Sequence, residues 1–116
     1  MAAVNKYHAK KVRYKGLTHA SHAEFGRWNQ LQILERAGEI RDLKRQVRHR
    51  LLPAQYDSNG KLLERAVDYV SDFEYVDNRT GMTVVEDVKG KRTADYIIKR
   101  KLMLWIYKIQ IKEVEM

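Results

Sequence analysis

Seven consecutive residues, Val84-Val85-Glu86-Asp87-Val88-Lys89-Gly90, constrain this chain more than any other feature. An apolar pair leads into two acids, then a valine, a lysine and a glycine. Side chains alternate along a strand, so Asp87 and Lys89 fall on one face, about 6–7 Å apart, and Glu86 on the other. Removing an unpaired charge from water is costly, so a buried strand has little reason to carry these groups. They read as the open end of a strand whose Val84-Val85 start is buried on both faces, hence central in its sheet. Taken alone, Asp87 and Lys89 also fit a plain ion pair.

The chain around this stretch reads as helix, three strands, helix, strand. Ser21 with Glu24 three residues on forms a capping box for a helix over 21–37, with Ala23, Trp28, Leu31 and Leu34 as its apolar stripe and Gly38 as its stop. Glu24 thus has a local role available to it. Ile40 to Leu52 reads as one long basic strand ended by Pro53, and Asp57-Ser58-Asn59-Gly60 as a hairpin turn. Leu62 to Val76 supplies the second strand, rich in β-branched and aromatic residues. Asp77 to Gly81 is a turn, and Met82 to Lys89 the third strand. Thr93 is an N-cap for a helix from Ala94 to about Tyr107. Ile109 to Val114 reads as the last strand. His19 and His22 read as surface residues at a helix start.

With 116 residues and no Cys, the expectation is one domain over 1–116, without disulfides or thiolate metal sites and in an intracellular setting. No apolar run is long enough for a membrane span. The net charge of +8 is uneven. Residues 1–52 hold 12 Lys/Arg and 4 Asp/Glu, whereas residues 53–116 hold 11 of each. Residues 1–15 form a basic arm in which Lys6, Lys10 and Lys11 accompany Tyr7, a combination able to meet phosphates and stack on bases. The basic strand adds Lys44, Arg45 and Arg48. A basic body around acids clustered between Asp68 and Asp87 suits a protein that grips a polyanion and does metal chemistry at one point.

Hydrolysing a phosphodiester requires that the phosphate's charge be met, a water made nucleophilic and the leaving oxygen stabilised. Mg²⁺ (or Mn²⁺) held by two or three carboxylates does this, and a neighbouring lysine can orient the water. Asp72, Asp87 and Lys89 are the residue types required. Pairing Met82–Lys89 back against the preceding strand through the 78–81 turn sets Asp72 opposite residues near 87. Read singly, Asp72 could instead cap a turn.

Ser21-x-x-Glu24, Val70-Ser71-Asp72-Phe73, Glu86-Asp87-Val88-Lys89-Gly90 and the αβββαβ order together resemble the PD-(D/E)XK nuclease superfamily. The likeness is nearest to small phage-encoded members. It takes in Lys6-Tyr7, Glu35 to Ile40 and Lys91 to Lys101. In layout it is similar to the endonuclease subunit of Tn7-like transposases and to archaeal-type Holliday-junction resolvases. The resemblance implies a restriction-endonuclease-like α/β core, a mixed sheet flanked by helices. It implies a Mg²⁺-dependent endodeoxyribonuclease working in phage DNA recombination, repair or processing, in the host cytoplasm if phage-encoded. Asp72, Asp87 and the Val88 carbonyl would hold the metal, with Glu24 as a further ligand and Lys89 positioning the water. Lys91, Thr93, Tyr96 and Lys99 would line the DNA side. The superfamily's proline before the first acid is Ser71 here. DNA, possibly branched, and a second copy of the chain are the implied partners. The other reading is a non-catalytic DNA-binding or complex-forming module on the same fold.

Overall fold

Twelve elements follow one another in the computed structural model, which describes residues 12–14, 17–19 and 22–116. β1 (Val12–Tyr14) and β2 (Leu17–His19) form a short antiparallel ribbon. α1 (His22–Arg36) comes next. Gly38 takes φ 80°, where a side chain would be strained, and Glu39 N–H closes back on Leu34 O at 2.9 Å. Ser21, Lys6, Tyr7, Lys10 and Lys11 lie outside the described residues.

The single strand expected over Ile40–Leu52 is two, β3 (Ile40–Arg45) and β4 (Arg48–Leu52). Gln46, at φ 52°, bends the chain between them. The segment Leu62–Val76 is likewise three strands, β6 (Leu62–Glu64), β7 (Val67–Val70) and β8 (Phe73–Asp77), and β5 (Gln55–Tyr56) precedes it. The two bends meet. Ser71 N–H donates to Val47 O at 2.9 Å and Gln46 N–H to Asp72 O at 3.0 Å, so both arms of one long hairpin turn out of the sheet together. Beyond the bend, β4 pairs with β7 and β5 with β6, each as a two-stranded antiparallel ribbon.

β9 (Thr83–Val88) follows the Asp77–Gly81 turn, and α2 (Ala94–Tyr107) crosses over to β10 (Lys112–Val114), a shorter strand than the expected 109–114. Thr93 caps α2, its Oγ1 accepting from Tyr96 N–H at 3.3 Å. The main sheet runs β10-β9-β8-β3, with β10 parallel to β9 and the other pairs antiparallel. The protein is therefore α/β, a mixed sheet with two helices, and the helices and main-sheet strands follow the order α-β-β-β-α-β. Among the described residues no helix is long and apolar enough to cross a membrane.

Strand alternation gives the sheet two cores. On one side Leu31 of α1 packs with Ile40, Phe73 and Tyr75, and Trp28 stacks on Phe73 at 5.9 Å. On the other, Val85, Leu51, Tyr69 and Ile111 enclose Tyr96 and Met103 of α2. Burying one side chain of the size of Phe73 stabilises by about 2–3 kcal/mol. The interior strand β9 divides its residues between these cores, which decides what its acids can do.

Candidate active site

Val84 and Val88 pack toward the α1 core and Val85 into the α2 core, so Glu86 and Asp87 face opposite ways. Glu86 is wholly buried on the α1 side. Arg27 grips it with two bonds, Nε to Oε1 at 2.7 Å and Nη2 to Oε2 at 2.6 Å, and Tyr75 donates its hydroxyl to the same carboxylate. That carboxylate holds the Arg27 guanidinium above its ordinary pKa. Three bonds thus hold the Glu86 carboxylate in the α1 core, away from Asp87.

Asp87, 8% exposed, sits on the α2 side. Lys89 Nζ lies 2.8 Å from its Oδ1, and Tyr69 OH donates to its Oδ2 at 2.6 Å. Burial, then the bond to Asp87, drives the Tyr69 hydroxyl far above its usual range, so it remains a fixed donor. The Lys89 ammonium also stands 3.3 Å from the centre of the Tyr96 ring. Tyr96 is held in turn by Glu113 of β10, the cross-strand partner of Asp87, which accepts the Tyr96 hydroxyl at 2.6 Å. Arg100 and Arg92 also reach Glu113, each at 3.0 Å. With the Tyr96 hydroxyl as the largest cause, Glu113 is drawn down to about 2.

Asp72 completes the group. β8 opposes β9 with Phe73 facing Glu86, so the residue before Phe73 stands level with Asp87. Asp72 N–H donates to Glu86 O at 3.1 Å, and Asp72 Oδ2 accepts Val88 N–H at 2.7 Å. Its carboxyl is raised from 3.8 to about 7, first by burial and then by the charges of Glu24 and Asp87. Glu24, buried at 7% exposure in the first turn of α1, is thus within electrostatic reach of Asp72. Asp72, Asp87, Val88 and Lys89 meet at one end of the sheet, at the point where the hairpin bends away, and the charge of Glu24 is felt at Asp72.

The residues expected to line a polyanion are placed less uniformly. Lys44 is exposed on β3 and Lys91 in the loop after β9. Arg45 is half-buried with its guanidinium 5.1 Å from the Trp28 ring. Arg48 reaches Asp68 at 2.9 Å, and Arg50 bonds the same carboxylate, which the two guanidinium groups hold below its usual range. Lys99 is half-buried on α2, and the Thr93 hydroxyl is engaged in its cap. Tyr96 departs most from expectation. It is 7% exposed and turned inward beneath Lys89 because α2 rolls that face onto the sheet. Tyr69 and Glu113 were not singled out from sequence. Their only signal is a polar side chain on the buried face of a strand, and each partner becomes visible only with the strand register.

Tyr96 allows a direct check. Tyr96→Phe keeps the ring beneath Lys89 and loses only the bond to Glu113, whereas Tyr96→Leu loses both. Acylation of the Lys89 amine, followed by peptide mass spectrometry, should quicken about 2- to 30-fold in Tyr96→Leu, the range of a cation–π contact. It should stay at the wild-type rate in Tyr96→Phe. Equal protection in all three proteins would remove the ring from this role.

Among the described residues no three of His, Cys, Asp and Glu form a ready-made metal cage. The donors present are hard oxygens, and Mg²⁺ keeps several waters and needs only one or two carboxylates. Each ionised carboxylate has about four lone-pair sites, so Asp72 and Asp87 retain acceptor capacity beyond the bonds described. A divalent cation would also relieve the repulsion from Glu24 and Asp87 that adds to burial in raising Asp72. The residues fit such an ion in chemistry and charge.

No curated protein and no solved structure matches the chain. One family model matches residues 4–115, and the chain accordingly belongs to that family, described as protein of unknown function (DUF1064).

Proposed function

We propose that the protein is a Mg²⁺-dependent endodeoxyribonuclease with a PD-(D/E)XK core. One observation carries this reading. Asp72 and Asp87 stand level on adjacent strand ends with Lys89 against Asp87, while burial, then the charges of Glu24 and Asp87, lifts Asp72 toward neutrality. A perturbed carboxyl at Asp72, with a second acid and a lysine beside it at the open end of a sheet, is the kind of group that metal-assisted hydrolysis uses. The main-sheet order α-β-β-β-α-β supports the same reading. The departure at Ser71 has a local reason, since its N–H donates to Val47 O, a bond that proline would forfeit.

Asp72 and Asp87 would hold the cation, with Glu24 and the Val88 carbonyl in support. When bound, Mg²⁺ supplies charge neutralisation at the scissile phosphate and a water acidic enough to attack near neutral pH. Tyr69 keeps the Asp87 carboxylate in one orientation, and Tyr96 with Asp87 keeps the Lys89 ammonium in place. Lys89 then orients the attacking water and meets charge that develops on the phosphoryl oxygens. Exposed Lys44 and Lys91, together with the basic residues 1–15, would hold the DNA backbone. Such work belongs to phage DNA recombination, repair or processing inside the cell, and cutting two strands calls for two copies of the site.

The test is cleavage of linear, nicked and four-way DNA of one sequence, with Mg²⁺, with Mn²⁺ or with EDTA. Cleavage should require the divalent cation, and Asp87→Asn should lower it by at least about 10²-fold, as for loss of other transition-state-stabilising groups. Binding without cleavage on every substrate would overturn the enzyme and leave a non-catalytic DNA-binding module.

A further inference from the structure

The outer face of the β4–β7 ribbon carries a charge cluster that the site does not use. β7 turns Tyr69 inward onto Asp87, so by alternation Asp68 points outward. Arg50 stands opposite Asp68 on β4, and Arg48 lies two residues back on the same face. Both arginines reach the one carboxylate, Arg48 Nη1 to Oδ2 at 2.9 Å and Arg50 Nε to Oδ1. They hold its carboxyl below the usual range, so it is ionised at neutral pH.

Exposure within the cluster is lopsided. The Asp68 side chain is 14% exposed, whereas those of Arg48 and Arg50 are 68% and 55% exposed. A visiting molecule therefore meets two cations rather than the acid. Each guanidinium gives Asp68 one N–H of its five and keeps the rest of a planar fork of donors. Two guanidinium charges on one carboxylate leave one positive charge in excess. Glu113, which also bonds two arginines, is different. Arg92 reaches Glu115 as well, so the charges there cancel, and the Tyr96 hydroxyl ties Glu113 to the core. One excess positive charge with forked donors on an exposed face is the complement of a single phosphodiester group.

We propose that Arg48 and Arg50 clamp one phosphate of the DNA backbone, and that Asp68 is a positioning residue that holds the two forks side by side. Asp68 is four residues from Asp72. That is at most about 13 Å of extended chain, so a bound backbone runs from clamp to site within a few nucleotides. The clamp rests on the DNA reading given above and is independent of catalysis.

The test is binding of a fluorescent DNA duplex to the full chain in EDTA, so that cleavage does not intrude, over a series of NaCl concentrations. Arg48→Gln and Arg50→Gln should each weaken binding and lower the salt slope by about one, because either loss leaves a neutral ion pair. Arg48→Lys with Arg50→Lys keeps both charges and loses both forks, and should bind more like the glutamine variants than like wild type. Asp68→Asn adds one positive charge, which alone would tighten binding. With the forks no longer held, it should instead weaken binding about 2- to 12-fold, the cost of ordering one long side chain. All these side chains lie on the ribbon surface, so circular dichroism should match wild type. Wild-type binding by the lysine pair, or tighter binding by Asp68→Asn, would reduce the cluster to plain charge and overturn the clamp while leaving the nuclease standing. Inorganic phosphate that displaces the duplex better than chloride at equal ionic strength would mark a site for the free ion and overturn the backbone assignment. A wild type that binds no duplex would end the clamp and the DNA reading together. Binding that depends on the clamp, without cleavage in Mg²⁺, would uphold the clamp and end only the enzyme.

Discussion

Arg27→Ala should destabilise the protein by about 3–5 kcal/mol. The substitution strands Glu86, which has no exposed surface and relies on two bonds from Arg27. Removing one partner of a buried ion pair costs about 3–5 kcal/mol, because the remaining charge has lost its compensation. A domain of this size is stable by about 5–15 kcal/mol in total, so the loss takes a large share of it. Urea denaturation measures it as a lower midpoint at unchanged slope. Arg27→Met combined with Glu86→Gln should recover much of the loss, since a neutral amide can still accept the Tyr75 hydroxyl. A cost below about 1 kcal/mol for Arg27→Ala would mean that Glu86 is not held as described, and would reopen it as a candidate for the site.

Asp72→Asn should have the opposite sign and depend on pH. Burial first, then Glu24 and Asp87, raise the Asp72 carboxyl from 3.8 to about 7. The folded state therefore binds this proton more tightly than the unfolded chain does. Below the unfolded pKa both states are protonated and Asp72 costs nothing. As pH rises from about 4 to about 7 the unfolded chain gives up the proton first, and wild type loses stability by up to about 4 kcal/mol. Asparagine stays neutral and can still accept Val88 N–H. The variant should match wild type at pH 4 and exceed it at pH 8 by about 1–4 kcal/mol in metal-free buffer. Differencing the two stability profiles isolates Asp72 from other titrating groups. Mg²⁺ should raise the melting temperature of wild type at pH 8 and not that of the variant. Parallel profiles for the two proteins would contradict the assigned environment of Asp72. The expected trade, a more stable protein that no longer cuts, is common where like charges are gathered for function.

Local chemistry made much of this architecture legible. Gly38 stops α1, the Asp77–Gly81 turn joins β8 to β9, and Thr93 caps α2, because each needs only a few neighbouring residues. Alternation alone separates Asp87 from Glu86. The bend at Gln46 and Ser71–Asp72 was not legible, since a non-glycine residue at positive φ carries no local signature. It is fixed by backbone bonds between segments about 25 residues apart. The inward face of Tyr96 was hidden for a related reason. Helical spacing groups Tyr96 with Lys99 but does not say which way the helix rolls onto its sheet. Tyr69 and Glu113 gain their roles only through register, which sets them beside Asp87 and beneath Tyr96.

Lys89→Ala, assayed for both metal binding and cleavage, tests the central claim most directly. Lys89 balances Asp87 at 2.8 Å but donates no lone pair to a metal. Its removal should leave Mg²⁺ bound at least as tightly, read by isothermal titration, while single-turnover cleavage of DNA falls about 10²- to 10³-fold. A wild-type protein that cuts no DNA with Mg²⁺ or Mn²⁺, or a Lys89→Ala protein that cuts at the full rate, would contradict it.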